Sequence, residues 1–210
     1  MAKNAQARKP VSPRWRAIQF LAAIILAMWA VFGLQSLFGL DFSKYGILPR
    51  NEKGLIGIVL APFIHSNIEH IAYNTVAFVL IALVLALSYP RKFIWVFLVS
   101  MISTDLLVWL FARSAYHIGI SGVVFALVGF MIAYGIARRS VGAIILSVVI
   151  GIVYGSFLYG VIPSAKWISW ESHLFGLISG ILWGIVWGVS DRRRSLKAQA
   201  QIQEQPQQSE

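Results

Sequence analysis

Long apolar runs separated by short polar breaks dominate the chain. They show neither the alternation of a half-buried strand nor the one-sided stripe of a soluble amphipathic helix. Six runs stand out, at about residues 17–38, 68–88, 93–112, 121–137, 141–162 and 173–189. Runs of about 20 apolar residues match the ~30 Å hydrocarbon core of a bilayer at 1.5 Å rise per helical residue. Lipid offers no hydrogen-bond partners to open sheets or loops, so segments that cross it are helices. The pattern therefore predicts an all-α membrane protein, a bundle of six transmembrane helices. A seventh apolar stretch, Leu55 to Ile64, is too short to cross and contains Pro62, so it reads as a partly embedded piece of the first loop. The expected organisation is a basic N-terminal segment at 1–16, a membrane domain at 17–190, and a disordered Gln-rich tail at 191–210. The first run is longer than a signal-peptide core and no small-residue cleavage site follows it, so it reads as a retained span.

Composition and charge refine this picture. Apolar residues make up 58% of the 210 positions and charged residues only 12%, against roughly 25% charged in soluble domains. The net charge of +10 could point to nucleic acid. The basic residues instead sit at the ends of apolar runs and in the tails, as topology signals do, so no nucleic-acid partner is expected. Lys3, Arg8, Lys9, Arg14, Arg16, Arg91, Lys92, Arg138, Arg139, Arg192, Arg193, Arg194 and Lys197 fall on one side of a six-span topology. Lys44, Arg50, Lys53, Arg113 and Lys166 fall on the other. The positive-inside rule then puts both termini in the cytoplasm, as an even number of spans requires. The absence of cysteine removes any disulfide scaffold, thiolate metal site or Cys nucleophile, and no metal or cofactor is expected.

The polar residues collect at one level. His70 and Asn74 lie in the first turns of the second span, one turn apart on one helical face. Ser121 opens the fourth span and His173 the sixth, both entering from the outer side. These two spans have apolar runs of only about 16 residues, or ~24 Å of helix against a ~30 Å core, so their outer ends are expected to lie submerged. His173, Gly176, Gly180, Gly184 and Gly188 form a small-residue stripe on the sixth span, with Gly122, Ala126 and Gly129 as its counterpart on the fourth. Such stripes let helix backbones approach closely in membranes. That approach would bring Ser121 within the ~2.6–3.2 Å that a nucleophile–base pair requires. Gly119 and Gly122 flank the serine and let the backbone turn around an accessible hydroxyl. The start of a helix also favours a developing oxyanion.

Three motifs together resemble the rhomboid family: His65-x4-His70-x3-Asn74 on the second span, Gly119-Ile120-Ser121-Gly122 opening the fourth, and His173-x2-Gly176-x3-Gly180 on the sixth. The stretches 46–65 and 121–130 are similar to bacterial rhomboids, and the resemblance covers roughly Gly46 to Trp187. It implies a six-helix intramembrane serine protease with a Ser121–His173 dyad. It further implies an oxyanion hole of the Ser121 amide, His70 and Asn74, and Phe125 packed on the catalytic imidazole. The implied partners are the bilayer and transmembrane protein substrates, cut near their outer ends after a small residue. The implied location is the cell membrane, with the active site toward the extracytoplasmic side. The fifth span and the loop Pro163–Trp170 are the conventional gate candidates.

Other roles are blander. His65 is expected to pin the first loop, His117 to sit in the loop between the third and fourth spans, and tryptophans such as Trp15, Trp167 and Trp170 to anchor at the interface. Asp105, in the third span, is a functional candidate by position but is not assigned to catalysis. Two other functions compete. A non-proteolytic rhomboid relative that binds membrane clients would characteristically lack the nucleophile or the base. A small transporter would spread polar residues across the membrane thickness, whereas here only Ser103, Thr104 and Asp105 lie deeper.

Overall fold

Residues 11–163 and 169–204 are described by the computed structural model, and the regular elements among them are helices. The one β pairing there is an isolated antiparallel bridge between Ile47 and His117. Lys3, Arg8, Lys9, Lys166 and Trp167, with most of the expected gate loop, lie outside the described residues. The α-helices are α1 (Pro13–Phe38), α2 (Gly57–Leu60), α3 (Ile68–Ser88), α4 (Pro90–Phe111), α5 (Ser121–Arg138), α6 (Val141–Val153) and α7 (Trp170–Glu204). Local signals set many of their ends. Ser12 Oγ accepts the Trp15 amide at 3.2 Å with Pro13 in the first turn, and Gly39 closes α1 in the left-handed conformation. Asn67 Oδ1 caps α3 by accepting the His70 amide at 2.8 Å.

Among the described residues five helices, α1, α3, α4, α5 and α7, are long and apolar enough to cross a membrane, and α6 is a shorter apolar helix of 13 residues. Two expected boundaries need correction. The fifth run does not stay α-helical to residue 162: α6 ends at Val153, and Ser156–Val161 form a 3-10 helix. Gly151, Gly155 and Gly160 thin the helix-forming potential there. The helix that contains the sixth run does not end with it near residue 189, and residues 191–204 are helical where disorder is expected. Arg, Leu, Lys, Ala and Gln in that stretch propagate a helix already nucleated upstream, with no new nucleus to form. Residues 205–210 lie outside the described residues.

Helix α5 is the centre of the bundle: 78% of its span is buried, against 22% for α1. Its tightest neighbour is α7, and the reason is steric. A Cβ added at Gly176 would lie 2.1 Å from the Gly122 carbonyl oxygen, and one at Gly180 would lie 1.9 Å from that of Ala126. At Gly184 and Gly188 the same test meets the carbonyl oxygens of Phe130 and Tyr134 at 2.7 and 2.8 Å. Every fourth residue of α7 therefore faces every fourth carbonyl of α5, an approach no side chain would permit. From the other side, a Cβ at Gly129 would meet the Leu177 carbonyl oxygen at 2.8 Å.

Polar stitches complete the frame. Asp191 of α7 receives the Tyr134 hydroxyl at 2.7 Å and pairs with Lys92 at 2.8 Å, which ties α5, α7 and α4 at one end. Midway, the Ser103 and Ser179 hydroxyls bond across α4 and α7, and Trp183 Nε1–H donates to Ser103 Oγ at 3.2 Å. At the other end Arg50 donates to the carbonyls of Leu110 and Ala112 at 3.1 and 2.8 Å, which fixes the first loop to the end of α4.

Gly180→Leu is expected to separate α5 from α7. The cost is at least the ~1–3 kcal/mol typical of overpacking, because the obstacle is backbone. Gly142→Ala is the control, since a Cβ at Gly142 meets nothing within 4 Å. Thermal unfolding in detergent should show a large loss for the first change and no loss for the second.

Candidate active site

Three helix starts converge at one end of the bundle. The α5–α7 approach sets Ser121, the first residue of α5, beside His173 in the first turn of α7, with Ser121 Oγ 2.9 Å from His173 Nε2. His173 Nδ1 lies 2.8 Å from the carbonyl oxygen of Gly160. A carbonyl only accepts, so Nδ1 carries the proton and Nε2 presents its lone pair to the serine hydroxyl. That tautomer is the one a general base needs. The imidazole is also held flat: it stacks on Phe125 at 4.4 Å and 12°, and Phe125 stacks in turn on Phe157 at 4.5 Å and 25°. A Cβ at Gly160 would meet Phe125 Cζ at 2.9 Å, so a glycine there lets the carbonyl reach the ring.

His70 and Asn74 face the same spot. Gly119, two residues before Ser121, has φ +99°, a conformation open to glycine, and its amide donates to the Ala61 carbonyl at 2.8 Å. A Cβ there would lie 2.8 Å from His70 Nε2 and 3.2 Å from Asn74 Nδ2, so both nitrogens converge on the turn that delivers the serine. The Ser66 amide donates to His70 Nδ1 at 3.4 Å, which leaves Nε2 as the N–H and aims a donor at that turn. Asn74 is 6% exposed, and its Nδ2 has no partner among the described residues. A buried amide without an acceptor is costly, and a site that binds a transient oxyanion has a use for one. The first amides of α5 are likewise free of intrahelical partners.

The other residues singled out by sequence sit around this centre. Gly122, Gly176 and Gly180 lie in the α5–α7 contact. His65 is fully buried at the end of the first loop, edge-on to His70 at 5.0 Å between ring centres, and its carbonyl accepts from Gln35 at 3.3 Å. Burial first, then the neighbouring His70, push the His65 imidazole down to about 4. Asp105 is buried on α4 with one oxygen unpartnered, and among the described residues it has no hydrogen bond to Ser121 or His173.

Several residues that position the site were not foreseen. The Gly160 carbonyl and Phe157 arrive from the 3-10 segment after α6, and their one sequence signal is the cluster of glycines there. His117 Nε2–H donates to the Arg113 carbonyl at 3.1 Å, so Nδ1 accepts the Ser169 hydroxyl at 2.6 Å. Ser169 Oγ then accepts the Ser172 hydroxyl at 2.6 Å. This chain of bonds ties the start of α7 to the loop before α5. A serine just ahead of an apolar run is a signal for the start of α7, but nothing in it points to His117. Burial holds the His117 imidazole below its ordinary value, chiefly by desolvation, which keeps it in the neutral form the chain of bonds requires.

Comparison with known proteins gives a consistent result. The model of the Rhomboid domain matches residues 52–190. An uncharacterized protein of Mycobacterium tuberculosis is 28% identical over 200 residues, covering 88% of this chain and 82% of its own length, and one of Mycobacterium bovis matches equally. An uncharacterized protein of Mycobacterium leprae is 32% identical over 161 residues, or 68% of this chain and 61% of its own.

The state of His65 has a measurable consequence. An imidazole in the unfolded chain titrates near 6.5, so between about pH 6.5 and 4 the unfolded chain binds a proton that the folded chain does not. This contribution to stability is complete above about pH 6.5 and is lost as the pH falls toward 4. Thermal unfolding followed from pH 7.5 to 4 should show a shallower decline in His65→Gln than in the parent.

Proposed function

Because the chain belongs to the rhomboid family of membrane proteins, we propose that it is an intramembrane serine endopeptidase acting through a Ser121–His173 dyad. The observation that carries this reading is the oriented imidazole: Nδ1–H directed to Gly160 and Nε2 directed to the Ser121 hydroxyl at 2.9 Å. Ser121 Oγ adds to the scissile carbonyl while His173 Nε2 takes its proton. The tetrahedral oxyanion is met by His70 Nε2–H, Asn74 Nδ2–H and the Ser121 amide. His173 returns the proton to the leaving amine, and an acyl-enzyme remains. Water then repeats the sequence: His173 takes its proton, the hydroxide adds, and Ser121 leaves as the alcohol with the carboxyl product.

In this reading the Gly160 carbonyl and the Phe125 stack do the orienting that a buried Asp does in a three-residue triad. Loss of that Asp from a triad costs about 10⁴ in kcat, so a carbonyl-oriented dyad is expected to be slow. The substrates are transmembrane segments of other membrane proteins, cut near their outer ends after a small residue. The excess of Lys and Arg at one set of helix ends supports a topology with both termini in the cytoplasm and the dyad toward the extracytoplasmic side of the cell membrane.

The test is the purified full chain in liposomes with a labelled transmembrane-helix substrate. The parent should cleave it, and Ser121→Ala and His173→Ala should be inactive at unchanged expression. Cleavage by Ser121→Ala overturns the assignment of the nucleophile. If the parent neither cleaves nor takes a fluorophosphonate label that depends on Ser121, the client-binding alternative replaces the protease. Asn74→Ala should lower kcat by about 10²–10³ with KM little changed, as removal of one oxyanion donor does.

A further inference from the structure

The end of the bundle opposite the dyad carries a second feature, independent of the proteolytic reading. A crevice of about 340 Å³ opens between the start of α4 and the α7 stretch that contains Trp187 and Arg194, within the size range of small-ligand sites. Its walls change character along the helices. Arg91, Lys92 and Arg194 line it near the start of α4 and the later turns of α7, while Trp95, Val99 and Trp187 line it further along the two helices toward the middle of the bundle. Arg91 to Val99 is eight residues of α4, or about 12 Å along its axis at 1.5 Å per residue. The gradient from cation to aromatic to aliphatic is that of the bilayer itself, from headgroup to acyl chain.

The charges in the crevice are not all committed. Asp191 already holds Lys92 at 2.8 Å and the Tyr134 hydroxyl at 2.7 Å, and the Lys92 ammonium lies 5.7 Å from the centre of the Trp187 ring. Among the described residues neither Arg91 nor Arg194 has an ion-pair or hydrogen-bond partner. Three cations against one carboxylate leave the crevice with a net positive charge. Two guanidiniums, one on each helix, offer the planar N–H pairs that match phosphate oxygens. The positive end of the α4 dipole adds to their field.

We propose that this crevice is a stoichiometric site for the phosphate of an anionic phospholipid, bridged by Arg91 and Arg194, with an acyl chain laid along Trp95 and Val99. Basic pockets between transmembrane helices recognise anionic headgroups in this way. The occupied site joins α4 to α7 at the end where Asp191 already does so.

The experiment uses the purified full chain in a nonionic detergent, read by tryptophan fluorescence and by native mass spectrometry. The probes are phosphatidylglycerol, phosphatidylcholine and inorganic phosphate. Phosphatidylglycerol is expected to bind saturably at one per chain, and phosphatidylcholine and inorganic phosphate much more weakly. Arg91→Gln/Arg194→Gln should weaken phosphatidylglycerol about tenfold or more, because two charge-assisted contacts are lost. Arg192→Gln/Arg193→Gln removes the same charge outside the crevice and should leave binding nearly unchanged. Equal loss in the two double variants means diffuse attraction and overturns the site. Equal binding of inorganic phosphate overturns the lipid assignment. If the Arg91/Arg194 variant does not fold, Arg91→Gln against the charge-matched Arg192→Gln carries the same comparison.

Discussion

The backbone-to-backbone contact of α5 and α7 is the constraint on which the rest of this structure depends. Four glycines of α7 meet four carbonyls of α5 at distances that leave no room for a Cβ. In lipid there is little hydrophobic driving force between helices, so close packing and polar stitches must hold them. The approach is tight along the whole length, from Gly176 at one end to Gly188 at the other. It therefore fixes two things together: the 2.9 Å separation of Ser121 from His173, and the Tyr134–Asp191 bond some four turns away. A small rotation of either helix would bring a side chain into the seam and break both.

Around that seam the site is built from groups that each have one remaining direction in which to bond. Gly160 holds Nδ1 of His173, the Ser66 amide holds Nδ1 of His70, and Arg113 holds Nε2 of His117. Each bond decides a tautomer, and each tautomer decides whether the other nitrogen donates or accepts. His173 is left as an acceptor toward a hydroxyl, and His70 as a donor toward the turn at Gly119. The same side-chain type thus takes opposite roles within one site, and in each case the orienting bond comes from a backbone group. The first loop matters for the same reason. Its anchoring by Arg50 and by the Ile47–His117 bridge places the Ala61 carbonyl that holds Gly119.

The two ends of the bundle have different characters. The dyad end holds the buried His65 and His117, several buried serines and, among the described residues, the unpartnered Asn74 amide. The opposite end is a cluster of cations, one carboxylate and tryptophans around a crevice. Helix α7 runs through both, so whatever stabilises its position against α4 at the charged end also bears on the register of His173. The break of α6 after Val153 enters here too, because the 3-10 segment that follows supplies Gly160 and Phe157 to the base.

Much of this was legible in the residues themselves. Apolar runs long enough to cross a bilayer, the level of His70, Asn74, Ser121 and His173, and the glycine stripe of α7 are local properties. They follow from the length of the hydrocarbon core, the need to satisfy backbone groups within a helix, and the 3.6-residue turn. The sequence by itself therefore determined which helices form, which ends carry the polar side chains and which face of α7 could be approached. The tertiary structure alone decided the partners. Nothing local to Gly160 says that its carbonyl meets His173, nor that Ser169 and Ser172 lead to His117, nor that Arg91 and Arg194 share a crevice. The early end of α6 and the extension of α7 to Glu204 were misjudged because apolar and polar composition marks where lipid ends, not where a helix does. Those outcomes depend on which neighbour arrives through space, and a single chain of residues read in order does not contain that distance.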